Sequence, residues 1–123
     1  MKKVVFIVDD NETNLTAGAA ALENEYDVLT MTSAKKMFDL IDLQNKIPDL
    51  ILLDVEMPDM TGLDAIHELK KRDKWKAIPV VFLTGWADNG LHIDAEDMGA
   101  LDMIGKPFEP VALLERVKKY LGS

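Results

Sequence analysis

Val4-Val5-Phe6-Ile7-Val8-Asp9-Asp10-Asn11 is a run of five apolar residues closed by two acids and an amide. An unbroken stretch of Val, Ile and Phe of this length reads as a strand buried on both faces, as in parallel sheets covered by helices on either side. Similar runs recur downstream. Leu50-Ile51-Leu52-Leu53 ends in Asp54, Val80-Val81-Phe82-Leu83 ends in Thr84, and Leu101-Asp102-Met103-Ile104 leads through Gly105 to Lys106-Pro107. Asp27-Val28-Leu29-Thr30-Met31 is more polar and suits an edge strand.

Helical patterns separate the runs. Asn14–Glu25 sets Leu15, Ala19 and Leu22 on one face, with Asn11 or Thr13 as cap. Ser33 can cap Ala34–Gln44, whose stripe is Met37, Leu40 and Ile41. Leu63–Arg72 groups Leu63, Ile66 and Leu69 behind Gly62, and Asp88 can cap a weaker helix over Leu91–Met98. Pro110 suits the first position of a last helix with Val111, Leu114, Val117 and Leu121 inward. The order is (βα)5, and such alternation implies right-handed crossovers and a parallel sheet. The expected fold is α/β, a flavodoxin-like doubly wound sheet of five parallel strands in the order 2-1-3-4-5, with residues 1–123 as one domain. That order sets the first and third strands side by side, bringing Asp9 and Asp10 next to Asp54.

Composition narrows the function. With 48% hydrophobic and 29% charged residues, the chain has the make-up of a soluble globular domain rather than a disordered one. No apolar run approaches the roughly 20 residues of a membrane-spanning helix. Met1-Lys2-Lys3-Val4 leads straight into the first run without a small-residue cleavage site, which speaks against a signal peptide. The absence of cysteine removes disulfides and thiolate metal sites and is compatible with a cytoplasmic location. A net charge of −8 argues against direct nucleic-acid binding, which needs a basic footprint.

In open α/β sheets, ligands bind outside the carboxyl ends of the strands. Asp9, Asp10, Asp54, Thr84 and Lys106 all fall at that edge. Two unit charges about 4 Å apart repel by about 4 kcal/mol at an effective dielectric near 20, so three clustered aspartates call for a cation. A sparse set of oxygen ligands suits Mg²⁺, and Mn²⁺ fits the same donors. One carboxylate could act as a nucleophile, since aspartate forms acyl phosphates. Asp54, the lone acid at the end of a central strand, is the best placed. Lys106, Thr84 and the ion would stabilise charge on the phosphoryl oxygens. Singly, each residue is more often a turn former or a cap; it is the joint placement that points to a site.

On Val8-Asp9-Asp10-Asn11, Leu53-Asp54-Val55-Glu56-Met57-Pro58-Asp59-Met60-Thr61-Gly62-Leu63, Leu83-Thr84-Gly85 and Gly105-Lys106-Pro107-Phe108, the chain resembles the receiver domain of two-component response regulators over essentially its whole length. The resemblance implies a switch, not an enzyme, that accepts a phosphoryl group on Asp54 from a histidine kinase or phosphotransfer protein. It would signal through contacts with a downstream protein or effector domain, without nucleic acid or membrane as direct partner. Asp10, Asp54 and the Glu56 backbone carbonyl would bind Mg²⁺, with Asp9 acting largely through water. Thr84 and Lys106 would contact the phosphoryl group, and Lys106-Pro107 would be cis. Gly62 is expected to adopt a turn conformation that a Cβ would resist.

Two positions depart from the family pattern. Met103 stands where an aromatic switch residue is usual, and core filling is the simplest role for it. Trp86, two residues after Thr84, is large enough to cover the approach to Asp54, while the Glu56 side chain could orient water or repel an anion. His67 and His92 read as surface residues. The alternatives are a flavodoxin-like cofactor-binding protein and an aspartate-nucleophile phosphohydrolase. The first lacks a hydroxyl- and glycine-rich phosphate loop after the first strand, and the second would carry D-x-D there. Neither GxGxxG nor GxxxxGK[ST] occurs.

Overall fold

The computed structural model describes residues 2–44, 46–57, 60–73, 75–85 and 99–122. Five parallel strands, β1 (Val4–Val8), β2 (Asp27–Met31), β3 (Leu50–Asp54), β4 (Val80–Thr84) and β5 (Asp102–Gly105), form one sheet in the order β2-β1-β3-β4-β5. The expected topology is the observed one, with the polar Asp27–Met31 segment at an edge. Four helices lie among the described residues: α1 (Glu12–Leu22), α2 (Ala34–Gln44), α3 (Gly62–Lys70) and α4 (Pro110–Leu121). The helix expected over Leu91–Met98, together with Trp86 and His92, lies outside the described residues.

Strand alternation divides the core into two layers. Phe6, Val8, Ile51, Leu53, Val80 and Phe82 face α2 and α3, where they meet Met37, Phe38, Ile41, Ile66 and Leu69. Val5, Ile7, Leu50, Leu52, Val81 and Leu83 face α1 and α4, against Leu15, Leu22, Leu113 and Val117. Both layers are needed because β1, β3 and β4 are apolar on both sides.

Some helix faces differ from the expected ones. In α4 the buried residues are Leu113 and Val117, whereas Val111 is 61% exposed. Glu109 caps that helix by accepting from the Val111 and Ala112 N–H groups, and packing of Leu113 and Val117 on the sheet turns Val111 to solvent. Spacing gave the stripe but not its azimuth. Gly18, not Ala19, joins Leu15 and Leu22 as a buried residue of α1, and a Cβ there would lie 2.9 Å from Ile7 Cδ1. β5 starts and ends one residue later than expected, and Leu101 is 48% exposed. Gly62 also has a different reason for being glycine: it opens α3 rather than a positive-φ turn. A Cβ there would strike the Asp54 carbonyl oxygen and stand 2.8 Å from Val55 Cα.

Candidate phosphoryl and metal site

Register brings the acids together. Val8 of β1 pairs with Leu53 of β3, so the next residues, Asp9 and Asp54, stand level at the sheet edge. Alternation places both on the α1–α4 side. The carboxylate oxygens of Asp9, Asp10 and Asp54 lie within 4.8 Å of one another. Asp10, one residue further, is exposed, whereas Asp9 and Asp54 are only 0% and 2% exposed.

Lys106 arrives from the far edge. Its backbone N–H donates to the Thr84 carbonyl at 2.7 Å, which continues the pairing with β4 one residue past β5. The Lys106 Nζ donates to Asp54 Oδ1 at 3.0 Å and to Asp9 Oδ2 at 3.2 Å. One ammonium thus stands between two of the three acids and offsets part of their repulsion. The Lys106-Pro107 peptide is cis.

Each buried acid has further donors. Asp54 Oδ1 also accepts from the Glu56 N–H at 3.1 Å, while Oδ2 accepts none among the described residues. Asp9 Oδ1 accepts from the Asn11 N–H at 2.9 Å, and Oδ2 accepts from Asn14 Nδ2 at 3.2 Å as well as from Lys106. Burial pushes the Asp54 carboxyl up to about 6, against the lowering effects of Lys106 and the Glu56 N–H and with a further upward push from Asp9. Burial works to lower the Lys106 ammonium, but the hydrogen bonds and charges of Asp54 and Asp9 prevail and hold it above its ordinary value.

A cleft of about 440 Å³ opens here, lined by Asp10, Asn11, Asn14, Asp54, Glu56, Gly85 and Lys106. The Glu56 side chain is exposed at its rim. Thr84 is buried at the end of β4, opposite Gly105, and alternation assigns it to the α2–α3 face. Half-buried Met103, on β5 opposite Phe82, packs against that same layer, as a core filler would. The structure thus joins Asp9, Asp54 and Lys106 on one face and places Thr84 with Met103 on the other. Asn14 was missed by sequence reading. An Asn in a first helical turn suggests only capping, and no spacing rule ties it to Asp9, five residues earlier.

The sequence model of the response regulator receiver domain matches residues 5–118. The chain belongs to this family. Receivers are switches of two-component signalling, working with kinases or phosphotransfer proteins and downstream effectors, and the family binds Mg²⁺ through acidic residues. This receiver is 32% identical over 124 residues to the polar-differentiation response regulator DivK of Brucella anthropi, covering 100% of this chain and 99% of that protein. A putative response regulator from Chloroflexus aurantiacus superposes with a TM-score of 0.88 at 28% identity, covering 100% of both chains. The BeF3-activated receiver domain of DrrB does so with a TM-score of 0.86 at 26% identity, again over 100% of both chains.

Proposed function

We propose that this receiver is a phosphorylation-activated switch that accepts a phosphoryl group on Asp54 from a phosphohistidine, on a histidine kinase or phosphotransfer protein, in an Mg²⁺-dependent reaction. The observation that carries this reading is the asymmetric environment of Asp54. Its Oδ1 is held by Lys106 and the Glu56 N–H, and its Oδ2 has no donor among the described residues. In the step proposed, Oδ2 attacks phosphorus while the P–N bond breaks and its electron pair leaves with the imidazole. The product is an acyl phosphate. With acetyl phosphate as donor, the P–O bond to acetate breaks instead.

A hard, all-oxygen donor set with carboxylates this close fits a divalent ion. Asp9, Asp10, Asp54 and the Glu56 backbone carbonyl would hold Mg²⁺ (or Mn²⁺), and the ion when bound supplies charge neutralisation to the phosphoryl oxygens. The hydrogen bonds support a division of labour. Asp9 already accepts three, while Asp10 is exposed and accepts none among the described residues, which favours Asp10 as the direct ligand and Asp9 acting through water. Lys106 is the proposed partner of the phosphoryl oxygens after transfer. Thr84 would meet the same group and relay its charge to the α2–α3 face, where Met103 lies.

Output would pass by contact to a downstream protein or effector domain, with residues 1–123 acting as one receiver unit in the cytoplasm. No helix among the described residues is long and apolar enough to cross a membrane. Intact mass spectrometry after incubation with acetyl phosphate tests the reading. One phosphoryl adduct is expected with Mg²⁺, and very little with EDTA or in Asp54→Asn. Full labelling of that variant would refute it.

A further inference from the structure

Asp9 Oδ2 carries two side-chain donors of different kinds. One is the Lys106 ammonium, which also holds Asp54; the other is the neutral Asn14 carboxamide, which touches no other acid among the described residues. Asn14 sits in the first turn of α1, where its own N–H donates to the capping Asn11 Oδ1 at 3.2 Å. Its side chain is therefore carried by a capped helix end and directed back at the strand edge. Asp9 is fully buried, and a buried carboxylate left short of donors is costly, so anything that takes Lys106 away meets resistance unless another donor stays.

We propose that Asn14 is a positioning residue of the phosphorylation site: its amide holds Asp9 in place so that Lys106 can transfer from Asp9 to the incoming phosphoryl group. This inference rests on the proposed role of Asp54. Without Asn14, Lys106 would be the one side-chain donor to Asp9 among the described residues, and its shift would leave Oδ2 without a donor there, the Asn11 N–H serving Oδ1 alone. The exposed Asp10 has no such tie, so the effect belongs to Asp9 alone.

The test is a double-mutant cycle over Asn14→Ala and Lys106→Ala, with Asn14→Leu as a near-isosteric second variant. In the Lys106 background, loss of the amide should slow Mg²⁺-dependent labelling by acetyl phosphate on the order of tenfold, the factor expected for one hydrogen bond to a charged group. In the Lys106→Ala background it should change the rate less than about twofold. Equal slowing in both backgrounds would overturn the proposal. A second cycle reads urea midpoints of the Mg²⁺-free protein and needs no phosphorylation. Two donors on one oxygen are partly redundant, so the double variant should lose more stability than the single losses added together. Additive losses would also overturn the proposal. If the wild-type protein took no label at all, the role of Asp54 would fail, while the urea cycle would still decide whether Asn14 and Lys106 share Asp9.

Discussion

At the scale of single residues, Asp54 sets the terms. Its carboxyl is raised from the usual value to about 6 chiefly by burial, so the ionised form is disfavoured in the fold even with Lys106 beside it. The sign of the pH effect follows. Between about pH 4 and pH 6 the native state binds a proton that the unfolded chain has released, so stability falls as pH rises through this window. In EDTA, Asp54→Asn should therefore be more stable than wild type at pH 7, by on the order of 2–3 kcal/mol from a shift of about two pH units. The advantage should shrink towards pH 4, and urea titrations at both pH values would check it. A less stable variant at pH 7 would mean that the Lys106 pairing outweighs burial. Asp9 behaves differently. Sequence reading treats it as one of three mutually repelling acids, yet besides Lys106 its buried oxygens accept from the Asn11 N–H and the Asn14 amide, neutral partners invisible to a count of charges.

At the scale of elements, β3 and α3 meet at Gly62. The Gly62 N–H donates to the Val55 carbonyl at 2.9 Å, and its Cα lies against the backbone of Asp54 and Val55. Gly62→Ala must push α3 off the strand that carries the acceptor. We expect a loss of about 1–3 kcal/mol in urea unfolding with little change in m, from overpacking against rigid backbone. At the opposite edge, the Asp102 side chain ties β5 to α4. Its Oδ2 accepts from Arg116 Nη2 at 2.6 Å and Tyr120 Oη at 2.7 Å, and Oδ1 accepts from the Met103 N–H. Burial works to raise the Asp102 carboxyl, but Tyr120, Arg116 and the Met103 N–H together hold it below the usual range. A lowered pKa contributes stability above the unfolded value that is lost as pH falls through the folded one. Asp102→Asn should cost about 1 kcal/mol at pH 7, a modest figure because Arg116 is 42% exposed, and the deficit should narrow below pH 4. The sequence reading of these elements was strongest where apolar runs are continuous and weakest for phase and close approach. Val111 looked inward by spacing, but the helix buries Leu113 and Val117 and leaves it in solvent, and no pattern of side chains reveals that a backbone needs the room glycine gives.

For the molecule as a whole, strand order converts five separated polar residues into one edge. The order was legible because β1, β3 and β4 are apolar on both faces and the helices between them are regular, so that parallel crossovers were the simplest arrangement. The same alternation carries a consequence that was not read from the sequence: Asp9, Asp54 and Lys106 share the α1–α4 face, while Thr84 and Met103 share the other. On the proposed reading, Thr84 is the link by which a charge change at Asp54 would reach the α2–α3 face. All of this depends on Asp54 being the acceptor, and one chemical measurement addresses that most directly. After labelling with acetyl phosphate and Mg²⁺, borohydride reduces an acyl phosphate to the alcohol, converting the phosphorylated aspartate to homoserine. Peptide mass mapping should find homoserine at position 54 alone. Homoserine at position 9 or 10 instead, or at no position in a protein that had gained the phosphoryl mass, would contradict the account.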